Sequence, residues 1–256
     1  MTSKTPLVSI ILPTLNEVEN IVPLIKTILA FIKEPVEILV VDDHSSDGTG
    51  SAVKTFVQKK GQHVGVRLIQ RTVKPCLAKS IQEGIDHSRG NIIVWMDSDF
   101  SMPPKVIPRL LSTIKHGNTD VAVASRFIAG GREKPIGSGQ KDSLVGIVLS
   151  RFLNMGLRVL LSPHFYDWTS GFVAARRTVF RDIRLHGDYG EYFIDFIVRA
   201  RAMGLRVKEI PYTCMPRLHG TSKTGSTLWG FFRHGKQYIS MALQLVPVAW
   251  GLKRLR

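Results

Sequence analysis

Cysteine is scarce: Cys76 and Cys214 are the two in 256 residues, far apart and without C-x-x-C spacing. That excludes a disulfide framework, argues against a structural zinc site and makes a reducing compartment the default. Long apolar runs are scarce too. The most apolar charge-free stretch, Gln237 to Leu252, is broken by Gln244, Pro247 and Gly251. It falls short of the ~20 apolar residues a spanning helix needs, so no transmembrane segment is expected. The opening MTSKTPLVSIILPTLNE ends its apolar run at Pro13 and has no small-residue cleavage site, so secretion is not expected. Acidic residues are few, 20 Asp+Glu against 35 Lys+Arg, a formal net charge of +15. With 44% hydrophobic residues and scattered Gly and Pro, the chain is neither a disordered basic tail nor fibrous. Its length suits one large domain, or a domain with an appendage. The surplus charge points to polyanions: nucleic acid, a nucleotide or an anionic membrane surface.

Missing motifs narrow the choice. There is no Walker loop, no G-x-G-x-x-G after a strand, no H-E-x-x-H and no G-x-S-x-G. This argues against P-loop enzymes, dinucleotide oxidoreductases, zincins and serine hydrolases. No helix-turn-helix, RNA-recognition or zinc pattern is present and aromatics do not interleave with basic runs, so nucleic acid is not the expected partner.

What is there begins with Val8 to Leu12, a β-branched run stopped by Pro13, which predicts a buried strand. Ile21, Leu24, Ile25, Ile28, Leu29 and Ile32 recur at helical spacing, with Asn16 or Asn20 available to cap that helix. Val36 to Val41 predicts a second strand, and strand, helix, strand implies a parallel unit. The alternation continues with a helix at 50–59, a strand at 66–69, a helix through Leu77, Ile81 and Ile85, a strand at 92–96, a helix at 104–115 and a strand at 121–125. Residues 1–127 thus read as an open α/β sheet with ligands beyond the strands' carboxyl ends. Thereafter come a Gly- and Lys-rich loop at 130–141, a helix at 144–161, an irregular segment at 166–172, a helix at 190–203, a strand at 205–210, a loop at 216–225 and a helical segment at 227–252.

Asp97-Ser98-Asp99 follows five apolar residues, so two carboxylates stand where a buried strand breaks into a loop. Such carboxylates can take a hard divalent cation and bond a ribose hydroxyl; an isolated D-x-D serves equally as a turn or cap. Asp42 and Asp43 end another strand, and two such ends meet at one crevice of a parallel sheet. Asp47-Gly48-Thr49 reads mainly as a turn and helix cap.

Leu12-Pro13-Thr14-Leu15-Asn16-Glu17, the run Val40 to Thr49, Met96-Asp97-Ser98-Asp99, Ser125-Arg126-Phe127 and Gly220-Thr221-Ser222-Lys223 together resemble the inverting family 2 glycosyltransferases of GT-A fold. The likeness is nearest to those that mannosylate dolichyl or polyprenyl phosphate, and it is collinear from about residue 7 to 245. It implies an α/β fold with a Rossmann-like open, mainly parallel sheet flanked by helices and a C-terminal helical acceptor lobe. The implied catalytic domain is 1–226, with a nucleotide-binding half at 1–127 and an acceptor half at 128–226, followed by an amphipathic helical segment at 227–256. By resemblance Pro13, Leu15, Glu17, Val41 and Asp43 line the nucleoside pocket, with Asp97 and Ser98 near the ribose. Asp99 ligates Mg2+ or Mn2+, with Ser101 at a further metal position. Arg126, Arg217, Ser222 and Lys223 match positions around the donor diphosphate and acceptor phosphate, and Ser150-Arg151 falls in the acceptor-side helix. Asp167 to Phe172 matches the family's second-half signature. Departures are Leu15 where an aromatic is usual, Thr72 to Ala78 in place of a Gly-rich turn, Gly146 for a basic residue, and Asp195 and Thr221 for glutamates.

The reaction so implied moves a hexose, foremost mannose from GDP-mannose, onto polyprenyl or dolichyl phosphate. An ionised lipid phosphate needs no strong base; a cation and arginines stabilise the leaving diphosphate. A UDP-sugar donor, or a hydroxyl acceptor with Asp195 or Glu191 as base, is the alternative; a catalytically inert scaffold is another, against which intact Asp97 and Asp99 speak. The expected site of action is the cytoplasmic face of a membrane, held peripherally, with a membrane partner subunit left open. Residues 144–161, with Arg151 and Arg158, and 228–252, flanked by Arg233, Lys236, Lys253, Arg254 and Arg256, have the profile of interfacial helices, or of helices packed on the core.

Overall fold

The computed structural model describes residues 7–60, 65–133, 144–220 and 228–251. Strand β1 (Val8–Thr14) is followed by α1 (Val18–Phe31), β2 (Val36–Asp42), α2 (Thr49–Lys60), β3 (Val66–Gln70), α3 (Leu77–His87) and β4 (Ile92–Trp95). A 3-10 turn at Pro104–Val106 leads into α4 (Ile107–His116), then β5 (Val121–Ser125), α5 (Leu144–Leu160), β6 (Val173–Arg176), α6 (Tyr192–Ala202), β7 (Val207–Pro211) and α7 (Leu228–Ala249).

One seven-stranded sheet runs in the order β3-β2-β1-β4-β6-β5-β7. Pairing is parallel except at β6, which is antiparallel to both β4 and β5. β6 is the strand the sequence reading did not anticipate. Its four residues, Val-Ala-Ala-Arg, are too short and too small to show a period, yet three are buried between Ile93-Val94-Trp95 and Val121-Ala122-Val123. The insertion has a geometric result. β6 runs opposite to its neighbours, so the loop entering it, Asp167 to Gly171, arrives at the same sheet edge as the carboxyl ends of β1, β2, β4 and β5.

Side-chain alternation along the strands divides the core into two layers. Ile10, Leu12, Ile38 and Val40 face one layer with Ile21, Leu24, Ile25 and Ile28 of α1 and Ile107, Leu110 and Leu111 of α4. Ile11, Val41 and Ile93 face the other, with Ile81 and Ile85 of α3, Leu157 of α5, Phe193 and Phe196 of α6, and Ala242 and Leu245 of α7. Gly84 lets α3 approach β1 closely: a Cβ there would lie 2.4 Å from Cγ2 of the buried Ile11.

Candidate functional site

Loops from four strand ends and from the β6 entry converge on one edge. Backbone strain concentrates there. Among the described residues, the three non-glycine residues with left-handed φ are Asn16 (51°), His44 (66°) and Phe100 (67°), one in each loop after β1, β2 and β4. A bulky aromatic such as Phe100 adopts that conformation only when its surroundings impose it.

The loop after β1 is tied to the loop after β2. Asn16 N donates to Ser45 Oγ (2.8 Å) and Ser46 N to Asn16 Oδ1 (2.9 Å). Neither Asn16 nor Asn20 caps α1, contrary to the sequence reading. Glu17 is the N-cap residue, its side chain makes no capping bond, and Asp47 serves instead. Its Oδ2 accepts Val18 N (3.0 Å) while Oδ1 accepts Thr49 N (2.9 Å) at the start of α2. Asp47-Gly48-Thr49 is thus the turn and cap it was read to be, and serves two helices. The Glu17 carboxylate, 8% exposed, accepts Asn20 Nδ2 (2.7 Å), and the same amide reaches His219 O (3.2 Å). Asn20 links the first loop to a segment 199 residues away.

At the end of β4, Ser98 Oγ donates to Pro13 O (3.0 Å) and lies 3.3 Å from Thr14 Oγ1. Asp99 is 2% exposed. Its Oδ1 accepts Ser101 N (2.9 Å), its Oδ2 pairs with Arg217 Nη1 (2.8 Å), and its carbonyl accepts Leu218 N (3.2 Å). Asp97 is partly open to solvent, with protein on most sides. Burial, then the Asp99 charge, push its pKa up to about 7, with Glu17 adding to the rise and Arg217 and Arg126 opposing it. A buried carboxylate that holds its proton this tightly lacks compensating positive charge. Hard oxygen donors at that spacing suit Mg2+ or Mn2+, which bind through one or two carboxylates and substrate phosphates. No cluster of three or more His, Cys, Asp or Glu exists among the described residues, so a cation here would need ligands from substrate. Asp97 and Asp99 fit that demand; Ser101 presents its backbone N–H to Asp99.

Arg126 is fully engaged. Its Nε and Nη2 donate to both oxygens of Asp167 (2.9 and 2.7 Å), Nη2 also to Thr169 Oγ1 (2.7 Å), and its backbone N–H to Asp167 Oδ2 (2.8 Å). Glu133 adds a counter-charge at 3.3 Å from Nη1. Asp167 holds the guanidinium's pKa above its ordinary value despite burial. Asp167 is itself fixed by Glu209, which accepts Tyr166 N (2.8 Å) and Asp167 N (2.9 Å), and whose own pKa is raised by burial. Arg126 therefore reaches the site as a field more than as a set of free donors.

Asp43 is likewise committed. Arg71 Nη1 pairs with its Oδ1, and Cys76 N donates to its Oδ2 (2.6 Å). The carboxylate thereby anchors the unusual 72–78 loop. Sequence reasoning missed Arg71, Glu209 and Asn154 and gave Asn20 only a capping role; of the three missed, Arg71 alone left a signal, as a basic residue at the carboxyl end of β3. Val41 packs into the core, Pro13 is buried, and Leu15 is half-buried beside the site. Ser150 is half-buried on α5 and Arg151 exposed. Asp195 is paired with Arg199 (2.7 Å), whereas Glu191 retains a buried Oε2 without a hydrogen bond among the described residues. Ser222, Lys223 and Thr221 lie outside the described residues, as do most of the 130–141 loop and the basic positions 253, 254 and 256.

The model of glycosyl transferase family 2 matches residues 9–184. A dolichol-phosphate mannosyltransferase of Pyrococcus furiosus is 31% identical over 89% of this chain, which spans 62% of that protein's length. The polyprenol monophosphomannose synthase of Mycolicibacterium smegmatis is 36% identical over 86% of this chain and 82% of its own. An undecaprenyl-phosphate mannosyltransferase of Micrococcus luteus is 30% identical over 86% and 88%. Among solved structures, glucosyl-3-phosphoglycerate synthase from Mycobacterium tuberculosis, crystallised with Mn2+, UDP and glucosyl-3-phosphoglycerate, superposes with a TM-score of 0.68 at 20% identity, over 94% of this chain and 80% of that one. That likeness shows the GT-A type of fold. With the family model matching more than half of the chain and a relative 36% identical over 86% of it, the chain belongs to glycosyl transferase family 2.

Proposed function

We propose that this protein transfers a hexose, mannose from GDP-mannose, to polyprenyl or dolichyl phosphate with inversion at the anomeric carbon. The observation that carries the reading is the Asp97–Asp99–Arg217 cluster at the sheet edge: two carboxylates two positions apart at the end of β4, one of them paired with an arginine at 2.8 Å. The relatives that act on polyprenyl phosphates support it. An oxygen of the lipid phosphate, already ionised, forms the new bond to C1 as the bond from C1 to the donor diphosphate breaks and GDP departs. Asp97 and Asp99 would hold Mg2+ or Mn2+, which when bound supplies charge to the leaving diphosphate. Arg217 and Lys223 offer cations to the two anionic groups, and guanidinium forks match phosphate oxygens two at a time. Arg126 lends its field to both. Glu17, Ser98 and the backbone around Pro13 to Leu15 form the nucleoside side.

The acceptor places the protein peripherally on a membrane's cytoplasmic face, where a partner subunit could join it. Among the described residues no helix is long and apolar enough to cross a bilayer. α5 instead exposes Val148, Phe152, Met155 and Val159, spaced 4, 3 and 4, and α7 beside it exposes Ile239 and Leu243, with Trp250 exposed just past its end. That pattern suits an interfacial helix pair. A second reading, transfer to a hydroxyl, is favoured by the free oxygen of Glu191, which could serve as base.

The test offers radiolabelled GDP-mannose, UDP-glucose and UDP-N-acetylglucosamine with polyprenyl phosphate and Mg2+ or Mn2+. Label from GDP-mannose should enter the organic phase. Label from a UDP-sugar alone would move the donor assignment, and no lipid label from any donor would overturn the reading.

A further inference from the structure

α5 has two faces with opposite surroundings. Outward lie the four apolar residues Val148, Phe152, Met155 and Val159, 48–74% exposed. Inward lie the buried Leu157 and one buried polar residue, Asn154, 3% exposed. Its amide is fully used. Nδ2 donates to Ser150 O one turn back (2.9 Å) and to Thr169 Oγ1 (2.9 Å), and Oδ1 accepts Trp168 N (2.7 Å). Thr169 Oγ1 in turn accepts Arg126 Nη2 (2.7 Å). One hydroxyl oxygen thus stands between α5 and the guanidinium at the end of β5.

The contact is directional in a way packing is not. Apolar side chains tolerate a helix sliding or turning by fractions of an ångström, but a saturated buried amide does not, because a lost bond leaves a polar group unsatisfied away from water. A shift of α5 must therefore be passed to Trp168 and Thr169. From there it reaches the Asp167–Arg126 pair, whose Asp167 carboxylate is wholly buried. Resting on the membrane reading given above, we propose that Asn154 is a positioning residue through which the seating of α5's apolar face on a bilayer sets the place of Arg126. By linkage the coupling runs both ways, so occupancy around Arg126 also changes how firmly α5 seats.

The test watches Arg126 directly. In full-length protein with 15N-labelled arginine, the Arg126 Nε–H signal is assigned by its loss in Arg126→Lys and followed as anionic bicelles are added. It should shift in the wild type and stay in place in Asn154→Ala, while both co-sediment equally with anionic vesicles. Thr169→Val cuts the same link from the other side, without changing a residue of α5, and should behave like Asn154→Ala; Thr169→Ser, which keeps the oxygen, should behave like the wild type. In the transfer assay Asn154→Ala and Thr169→Val should each lower kcat about tenfold with donor KM within about twofold, and the double variant should be no worse than the poorer single. A signal that moves equally in all variants, one that never moves, or absence of bicelle binding overturns the proposal. The magnetic-resonance arm needs no turnover, so a failed hexose assignment would appear separately, as absence of labelled lipid.

Discussion

Burial of Asp97, and then the charge of Asp99 two positions on, give the end of β4 a stored electrostatic cost. The Asp97 pKa, about 7 in the folded protein, lies above its ordinary value of 3.8. The folded state thus holds this proton more tightly than the unfolded chain. Its stability is intact below the unfolded pKa and is lost as pH rises through the folded one, between about pH 4 and pH 7. Chelated protein should accordingly melt at falling temperature across that range, and Asp97→Asn should flatten the trend; parallel melting curves for the two proteins would contradict it. Asp99→Ala should reduce transfer by about a hundredfold or more and abolish Mn2+ binding in the presence of GDP, read by the paramagnetic resonance of the free ion. Retained Mn2+ binding would place the cation elsewhere. Arg71 offers a third case. It and Asp43 are both nearly buried, with side chains 4% and 7% exposed. Arg71→Ala leaves an uncompensated carboxylate and should cost about 3 kcal/mol, visible as a lower urea midpoint at unchanged slope.

Elements built on apolar periodicity were legible from the chain alone. Ile21 to Ile28 and Val36 to Val41 announce α1 and β2, and each acidic strand end follows from where an apolar run stops. β6 was not legible, because Val-Ala-Ala-Arg gains its strand identity from the partners on either side rather than from its own pattern. The candidate site divides the same way. Asp97 and Asp99 could be named from local sequence, whereas the pairing of Arg126 with Asp167, or of Asn20 with His219, spans 41 and 199 residues and leaves no local trace. Helix–sheet spacing was hidden too. Gly84 occupies an ordinary helical position, yet no room for a methyl group exists above Ile11. Gly84→Ala should destabilise by about 1–3 kcal/mol despite the better helix propensity of alanine, measured by denaturant unfolding; a stabilised variant would mean that α3 can lift from the sheet.

The whole molecule carries fifteen surplus positive charges, and among the described residues α5 and α7 expose large apolar side chains. A charged substitution on that apolar face should weaken adsorption to a bilayer without touching the site. Phe152→Glu combined with Leu243→Glu should lower co-sedimentation with anionic vesicles about tenfold or more, leaving the melting temperature near the wild-type value because both residues are more than half exposed. Unchanged sedimentation would remove the two helices from the membrane reading.

The antiparallel strand also governs how the chain can reach its native state. β4 and β5 are each hydrogen-bonded to β6 rather than to one another, so the ribosome must deliver residue 176 before the sheet's middle can close. Until then two apolar strand edges stand open. Such late, non-local closure slows folding and exposes the nascent chain to aggregation, and it makes the first 127 residues an unfinished half-sheet whose expression alone should yield insoluble protein.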